Sequence, residues 1–248
     1  MTMIHSADPL PQFSAIVPAA GVGKRMKTNI PKQYLTLLNK SLLEWTLATL
    51  ISHPQIKHIL VAINPNDEYF GSLKIAKSPW LTRIDGGKER SDSVLAGLQH
   101  LQQTSENFDS EWALVHDAAR PCVSHHDISQ LLALHGSGCG GILATPVRDT
   151  MKRSEATSSS TPLVNQTVER DNLWHALTPQ FFPAQELLQA LEMGLNQGRK
   201  VTDEASAIEF QKGSVKLVEG CSSNIKVTHP QDLKLAEFYI KNRGTYES

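Results

Sequence analysis

Apolar residues in this chain fall into runs of two kinds, and their alternation sets the fold class. The first kind is short and nearly continuous: Ile16-Val17 at the end of a buried strand, His58 to Ile63 inside Lys57–Pro65, Trp112 to Ala119, and Gly140 to Val147, with Leu81 to Gly87 a further, less apolar strand ending in a double glycine. Continuous apolar runs closed by turn residues are strands buried on both faces, as in a parallel sheet. The second kind has helical spacing. Leu42, Leu43, Leu47, Leu50 and Ile51 predict a helix to Ser52. Val94, Leu95, Leu98 and Leu101 predict another over Ser91–Gln102, and helices are also expected over Asp67–Ala76 and His126–His135. Strands alternating with helices make a βαβ series with right-handed crossovers.

The pattern changes after residue 148. Thr150–Arg153 and Leu163–Glu169 alternate in polarity around Ser158-Ser-Ser-Thr-Pro162, the pattern of an antiparallel hairpin. A hairpin of that length cannot bury itself alone, so residues 148–171 are expected to project as an arm. The βα pattern then resumes. Leu173–Leu177 reads as a strand, Pro183–Asn196 and Thr202–Gln211 as helices, Val215–Val218 and Asn224–Val227 as short strands, and Pro230–Lys241 as a terminal helix. Thr202 is the expected N-cap of its helix, with the capping box incomplete because Ala205 stands in its third position. With no repeat and no linker, residues 1–248 read as one α/β domain: a Rossmann-like fold, mostly parallel, with a protruding β-hairpin arm.

Composition narrows the function classes. A net charge of −1 argues against a general nucleic-acid binder. No apolar run approaches the length that spans a bilayer, and Met1 to Gln12 lack a signal-peptide pattern. Cys122, Cys139 and Cys221 are odd in number and form no CxxC pair, which predicts a reduced, cytoplasmic setting.

The candidate chemistry begins at Ala15–Tyr34. A buried strand runs into Ala19, Ala20, Gly21 and Gly23, then into Lys24, Arg25, Lys27 and Lys32. Glycines let backbone N–H groups approach an anion, and the cations neutralise it. The segment is no P-loop, because Arg25 follows Gly23-Lys24 and Pro18 stands at the first glycine position. Nor is it a dinucleotide turn: Met26 replaces the third small residue and Pro31 breaks any immediate helix, which also weakens an oxidoreductase reading. Ligands of parallel sheets sit beyond the carboxyl ends of the strands. There the chain places Gly86-Gly87 and Asp117-Ala-Ala-Arg120 as well.

A bound triphosphate carries about four negative charges. Arg25, Lys32 and one Mg²⁺ would balance them, with Asp117 a candidate ligand of the metal or an orienting group. Each close phosphate contact contributes about 4 kcal/mol gross at an effective dielectric near 20. Arg120 suits phosphate by its fork geometry, and Lys226 lies in a short apolar strand where it either guards an edge or meets phosphate. His116 reads as a packed strand histidine. No nucleophile–base pair stands out, so direct transfer between bound substrates fits better than a covalent intermediate.

These segments resemble the 2-C-methyl-D-erythritol 4-phosphate cytidylyltransferases. The resemblance is carried by Pro18-Ala-Ala-Gly-Val-Gly-Lys-Arg-Met26 with Pro31-Lys-Gln-Tyr34, by Asp85-Gly-Gly-Lys-Glu-Arg-Ser-Asp-Ser-Val94 and by Val115-His-Asp-Ala-Ala-Arg-Pro121. It extends through Pro146–Lys152, Leu173–Phe181, Thr202–Ser206 and Glu219–Val227. Two places are looser: Lys88 stands where the family commonly has an acid, and Gln102–Glu111 is longer than the motif spacing needs, as in a surface insertion.

The resemblance implies Mg²⁺-dependent transfer of cytidylyl from CTP to methylerythritol phosphate, with pyrophosphate released. It implies that Arg25, Lys32 and Lys226 are catalytic. Ala19, Ala20, Gly21, Gly23, Gly87, Ser93 and Asp117 would bind the nucleotide; Asp117, Arg120, Thr150, Arg170 and Thr178 would bind the second substrate. It also implies a homodimer through the arm, with Thr150 and Arg170 serving the neighbour's site. Ribitol 5-phosphate as acceptor, or a non-catalytic nucleotide-binding regulator, are the alternatives.

Overall fold

The computed structural model describes residues 10–21, 30–155 and 160–243. Seven strands form the central sheet: β1 (Phe13–Pro18), β4 (Ile56–Ile63), β5 (Leu81–Asp85), β6 (Trp112–Val115), β7 (Gly141–Pro146), β10 (Trp174–Pro183) and β11 (Lys216–Glu219), in the order β11-β7-β10-β6-β1-β4-β5. Every pairing is parallel except those of β10, which runs antiparallel to both β6 and β7. The expected α/β architecture with a mostly parallel sheet is therefore present.

Alternation along the strands divides the core. Ala15 and Val17 of β1 and Leu114 of β6 face one side, where α1 (Leu42–Ile51) and α3 (His125–Leu132) pack. Ile16, Ala113 and Val115 face the other, against α2 (Arg90–Thr104), α4 (Ala184–Asn196) and α5 (Glu204–Phe210). A smaller cluster joins α6 (Pro230–Lys241) to Leu37, Leu42 and Val227. A two-residue ribbon, β2 (Thr36–Leu37) and β3 (Lys40–Ser41), leads into α1, where Ser41 and Glu44 close a reciprocal capping box. No helix among the described residues is long and apolar enough to cross a membrane.

Four expectations are corrected. Asp67–Ala76 is not a helix but two 3-10 turns, Phe70–Ser72 and Lys74–Lys77. Asp67 Oδ1 accepts the N–H groups of Tyr69 and Phe70, a local bond that competes with an α-turn. The strand read at Leu173–Leu177 is the longer, antiparallel β10. Asn224–Val227 is not a strand, because its backbone is spent elsewhere: Arg120 Nη1 donates to the Asn224 carbonyl at 2.7 Å and Val227 N–H to the Ala119 carbonyl at 2.8 Å. The N-cap of α5 is Asp203, not Thr202. That one-residue shift brings Ser206 to the third position, where its N–H meets Asp203 Oδ1 and its hydroxyl accepts the Asp203 N–H. The polar stretch around Asn107 is also pinned, since Phe108 is buried against the second core face.

The hairpin is present as β8 (Met151–Ser154) paired antiparallel with β9 (Val164–Val168). Val168 alone of these residues is even partly buried. Leu163, Val164 and Met151 lie open to solvent. The hairpin's base is closed by Val147 N–H donating to the Leu173 carbonyl and by Arg170 donating to the Arg148 carbonyl.

Candidate active site

The carboxyl ends of β1, β4, β5 and β6 converge. Ala19 N–H continues the ladder to the Ala62 carbonyl, Gly86 N–H reaches the Ile63 carbonyl, and His116 N–H reaches the Ile16 carbonyl. Past these ends opens a first chamber of about 200 Å³. Ala19, Ala20, Gly21 and Lys32 line one wall; Gly87 and Ser93 line another; Asp117 and Lys226 close it. Residues far apart in sequence and expected to meet one nucleotide thus share one cavity. Gly23 and Arg25 lie outside the described residues.

Chain conformation explains the glycine at 87. A Cβ there would stand 2.2 Å from Asp92 Cβ, inside the first turn of α2. The Gly87 N–H instead donates to Ser93 Oγ at 3.1 Å, which ties the loop to the helix. Gln33, buried beneath the first chamber, donates to the Ala19 carbonyl at 2.7 Å and holds the end of β1 in place.

A second chamber of about 240 Å³ adjoins the first. Arg120, Thr178, Gln180, Thr202 and Asp203 line it. Arg90, Asp117 and Lys226 line both chambers and form the partition between them. Thr178 reaches this position because β10 departs from its ladder. Between Ala176 and Gln180 it takes four steps while β7 takes two, from Ala144 to Ile142. Thr150 and Arg170 line neither chamber; both sit exposed at the hairpin.

Asp117 is the centre of the partition. Its Oδ1 accepts Arg90 Nε at 2.7 Å and its Oδ2 accepts Lys226 Nζ at 2.6 Å, with Arg120 Nε 3.9 Å away. Burial raises its pKa, but Arg90 and then Lys226 outweigh burial and hold it well below the usual carboxylate range. Arg90 reaches further, giving Nη1 and Nη2 to the two oxygens of Glu204 at 2.7 and 3.0 Å. Three cations against two carboxylates leave the partition with one surplus positive charge, suited to phosphate on either side.

Below the partition His116 is fully buried. Its Nε2 meets the Arg120 carbonyl at 3.1 Å, which makes that nitrogen the donor and Nδ1 the acceptor. Thr178 Oγ1 therefore donates to Nδ1 at 3.0 Å while accepting the Asp117 N–H at 3.0 Å. Thr178 faces the second chamber, yet its hydroxyl hydrogen is turned inward.

The expectation that Asp117 ligates Mg²⁺ does not fit this geometry. Both carboxylate oxygens are taken by cations, whereas Mg²⁺ demands a near-octahedral oxygen shell. Among the described residues no group of three His, Cys, Asp or Glu side chains could hold a metal.

Sequence reasoning passes over Arg90 and reads Glu204 only as an acid suited to the positive start of its helix. Arg90 carried a signal. A cation at the first position of a helix runs against the helix dipole, so Arg90 needs a partner from elsewhere. Glu204 carried no such signal, because an acid at a helix start is expected from the dipole alone; only the structure shows it at 0% exposure, where an acid is kept only when paired.

Comparison with known proteins shows the family of the chain. Residues 13–242 match the family model described as IspD: 2-C-methyl-D-erythritol 4-phosphate cytidylyltransferase. A protein of that name from Pseudoalteromonas atlantica is 56% identical over 236 residues, covering 95% of this chain and 98% of its own length. One from Escherichia coli is 52% identical over 227 residues, covering 91% of this chain and 92% of its own. The crystal structure of the Francisella tularensis protein of that name superposes with a TM-score of 0.75 at 34% identity, covering 92% of this chain and 99% of that one. Another, titled 4-diphosphocytidyl-2C-methyl-D-erythritol synthase, gives 0.78 at 31% identity over 93% of this chain and 99% of its own. On these matches, the chain belongs to the 2-C-methyl-D-erythritol 4-phosphate cytidylyltransferase family.

Proposed function

We infer that this chain transfers the cytidylyl group of CTP to 2-C-methyl-D-erythritol 4-phosphate, releasing pyrophosphate, and that the two chambers hold the two substrates on either side of Asp117. The observation that carries the assignment of chambers is their shared wall. Arg90, Asp117 and Lys226 face both, so a group held in one meets a group held in the other there.

In this reading CTP occupies the first chamber. Ala19, Ala20, Gly21 and Gly23 offer backbone to the triphosphate, and Gly87 and Ser93 contact the cytosine or ribose. The alcohol phosphate occupies the second chamber, near Arg120 and Thr178. Its phosphate oxygen attacks the α-phosphorus in line. A new P–O bond forms as the bond to the β-phosphate bridge breaks, and the electron pair leaves on pyrophosphate.

Negative charge grows on the equatorial and leaving oxygens during that step, so fixed cations there lower the barrier. Arg25 and Lys32 do this on the triphosphate side, and Lys226 does it at the partition. A Mg²⁺ ion, which the family resemblance implies, would take its ligands from the triphosphate and water rather than from Asp117. The protein is proposed to be one cytoplasmic domain whose arm, residues 148–171, crosses to a second copy, with Thr150 and Arg170 completing that copy's second chamber. The exposed Leu163, Val164 and Met151 on the hairpin support an interface there.

The test is pyrophosphate release with CTP and either methylerythritol phosphate or ribitol 5-phosphate. Turnover with the first and not the second is expected; turnover with ribitol 5-phosphate alone would overturn the choice of substrate.

A further inference from the structure

Arg90 is more tightly built in than a surface cation at a helix start needs to be. Its guanidinium joins two carboxylates whose side chains are only 8% and 1% exposed, those of Asp117 and Glu204. The Glu204 end is anchored. Gln180 hangs the start of α5 on β10, its Oε1 accepting the Ala205 N–H and its Nε2 donating to Asp203 Oδ2, each at 2.9 Å. Arg90 is thus a strut from a fixed acid to the acid at the partition. Burial works against its charge, yet Glu204 and Asp117 together raise its pKa above the ordinary arginine value.

We propose that Arg90 is the positioning residue of Lys226. By occupying Oδ1 of Asp117 it leaves only Oδ2 to Lys226. A carboxylate with both oxygens open would draw the ammonium between them and away from phosphate. With Oδ1 taken, the contact to Oδ2 uses one of the three N–H donors of Lys226, and the ammonium stays on the line between the chambers. Arg90 thereby acts on catalysis through Lys226. The inference rests on Lys226 meeting phosphate, as proposed above.

Arg90→Met alone would strand Glu204 as a buried, unpaired acid, so the test uses the full chain with Arg90→Met and Glu204→Gln together. The pair is expected to keep the urea midpoint near that of the unsubstituted chain while kcat falls about tenfold or more; KM for the alcohol phosphate rises, and KM for CTP changes less than about threefold. The decisive readout is coupling. Lys226→Met should cost much less kcat in the paired background than in the unsubstituted chain, because the ammonium is already misplaced. Additive losses, or full kcat in the pair, overturn the inference. If the pair does not fold, Arg90→Lys decides: it keeps the charge but lacks the fork that spans both acids, so a loss of about tenfold is expected, and unchanged kcat overturns the inference. No pyrophosphate release from the unsubstituted chain would instead refute the substrate assignment.

Discussion

The Thr178 hydroxyl donates to His116 Nδ1 across 3.0 Å, so this buried imidazole is held neutral with its proton on Nε2. Burial lowers its pKa from 6.5 to about 4. Protonating Nδ1 would make it a donor, so the Thr178 hydroxyl, which already receives the Asp117 N–H, would have to reverse its bond to the ring and turn its own hydrogen elsewhere. The sign follows from linkage. Between pH 6.5 and about 4 the unfolded chain binds a proton that the folded chain refuses, so stability falls as pH falls through that window. The shift corresponds to roughly 3 kcal/mol when fully expressed. Urea midpoints measured at pH 7.5 and pH 4.5 should differ in that direction; His116→Gln should reduce the dependence and leave the share of His53, whose pKa burial likewise lowers to about 4, and an unchanged slope in that variant would exclude His116 as a source.

Lys32→Ala removes a cation from the wall of the first chamber. Its proposed work is on charge that grows during transfer, so kcat should fall roughly 10²–10³-fold while CTP affinity falls far less. Steady-state rates beside calorimetric CTP binding make the comparison. Equal losses in both would favour a binding protein over an enzyme.

Gly87→Ala tests the nucleotide loop. The added methyl would stand 2.2 Å from Asp92 Cβ, and the first turn of α2 would have to give way. That turn carries Arg90 and Ser93, so both CTP affinity and the partition should suffer. A stability loss of roughly 1–3 kcal/mol is expected, with weaker CTP binding. A variant that melts and binds like the unsubstituted chain would show that the loop has room to spare.

The fold was legible because its signal is local. Continuous apolar runs such as His58–Ile63 can be buried only on both faces of a sheet, and Leu42 to Ile51 can present one face only as a helix. What escaped was set by distant partners. Asn224–Val227 has strand-like residues, but Arg120 and Ala119 claim its backbone. The direction of β10 depends on where the chain returns after the hairpin, which periodicity does not encode. The site divides the same way. Gly87 and Asp117 were readable from their position after strand ends, and Lys226 from resemblance. The Arg90–Glu204 pair spans 114 residues, and only the folded chain brings it together.

The hairpin yields the most direct test of a shared site. Deleting Ser154 to Val168 should give monomers of little activity, visible by sedimentation, and a fully active monomer would refute the arm's role. Mixing is sharper. An Arg170→Ala chain should be nearly inactive, since its arm no longer completes the neighbour's second chamber, and a Lys32→Ala chain should be nearly inactive in its own first chamber. A mixed dimer restores one site: the first chain's Lys32 with the arm of the second. Random exchange makes half the dimers mixed with one working site each, so about a quarter of full activity should return if each site takes its arm from the other copy. If each arm instead serves its own chain, both sites of the mixed dimer stay defective and mixing restores nothing.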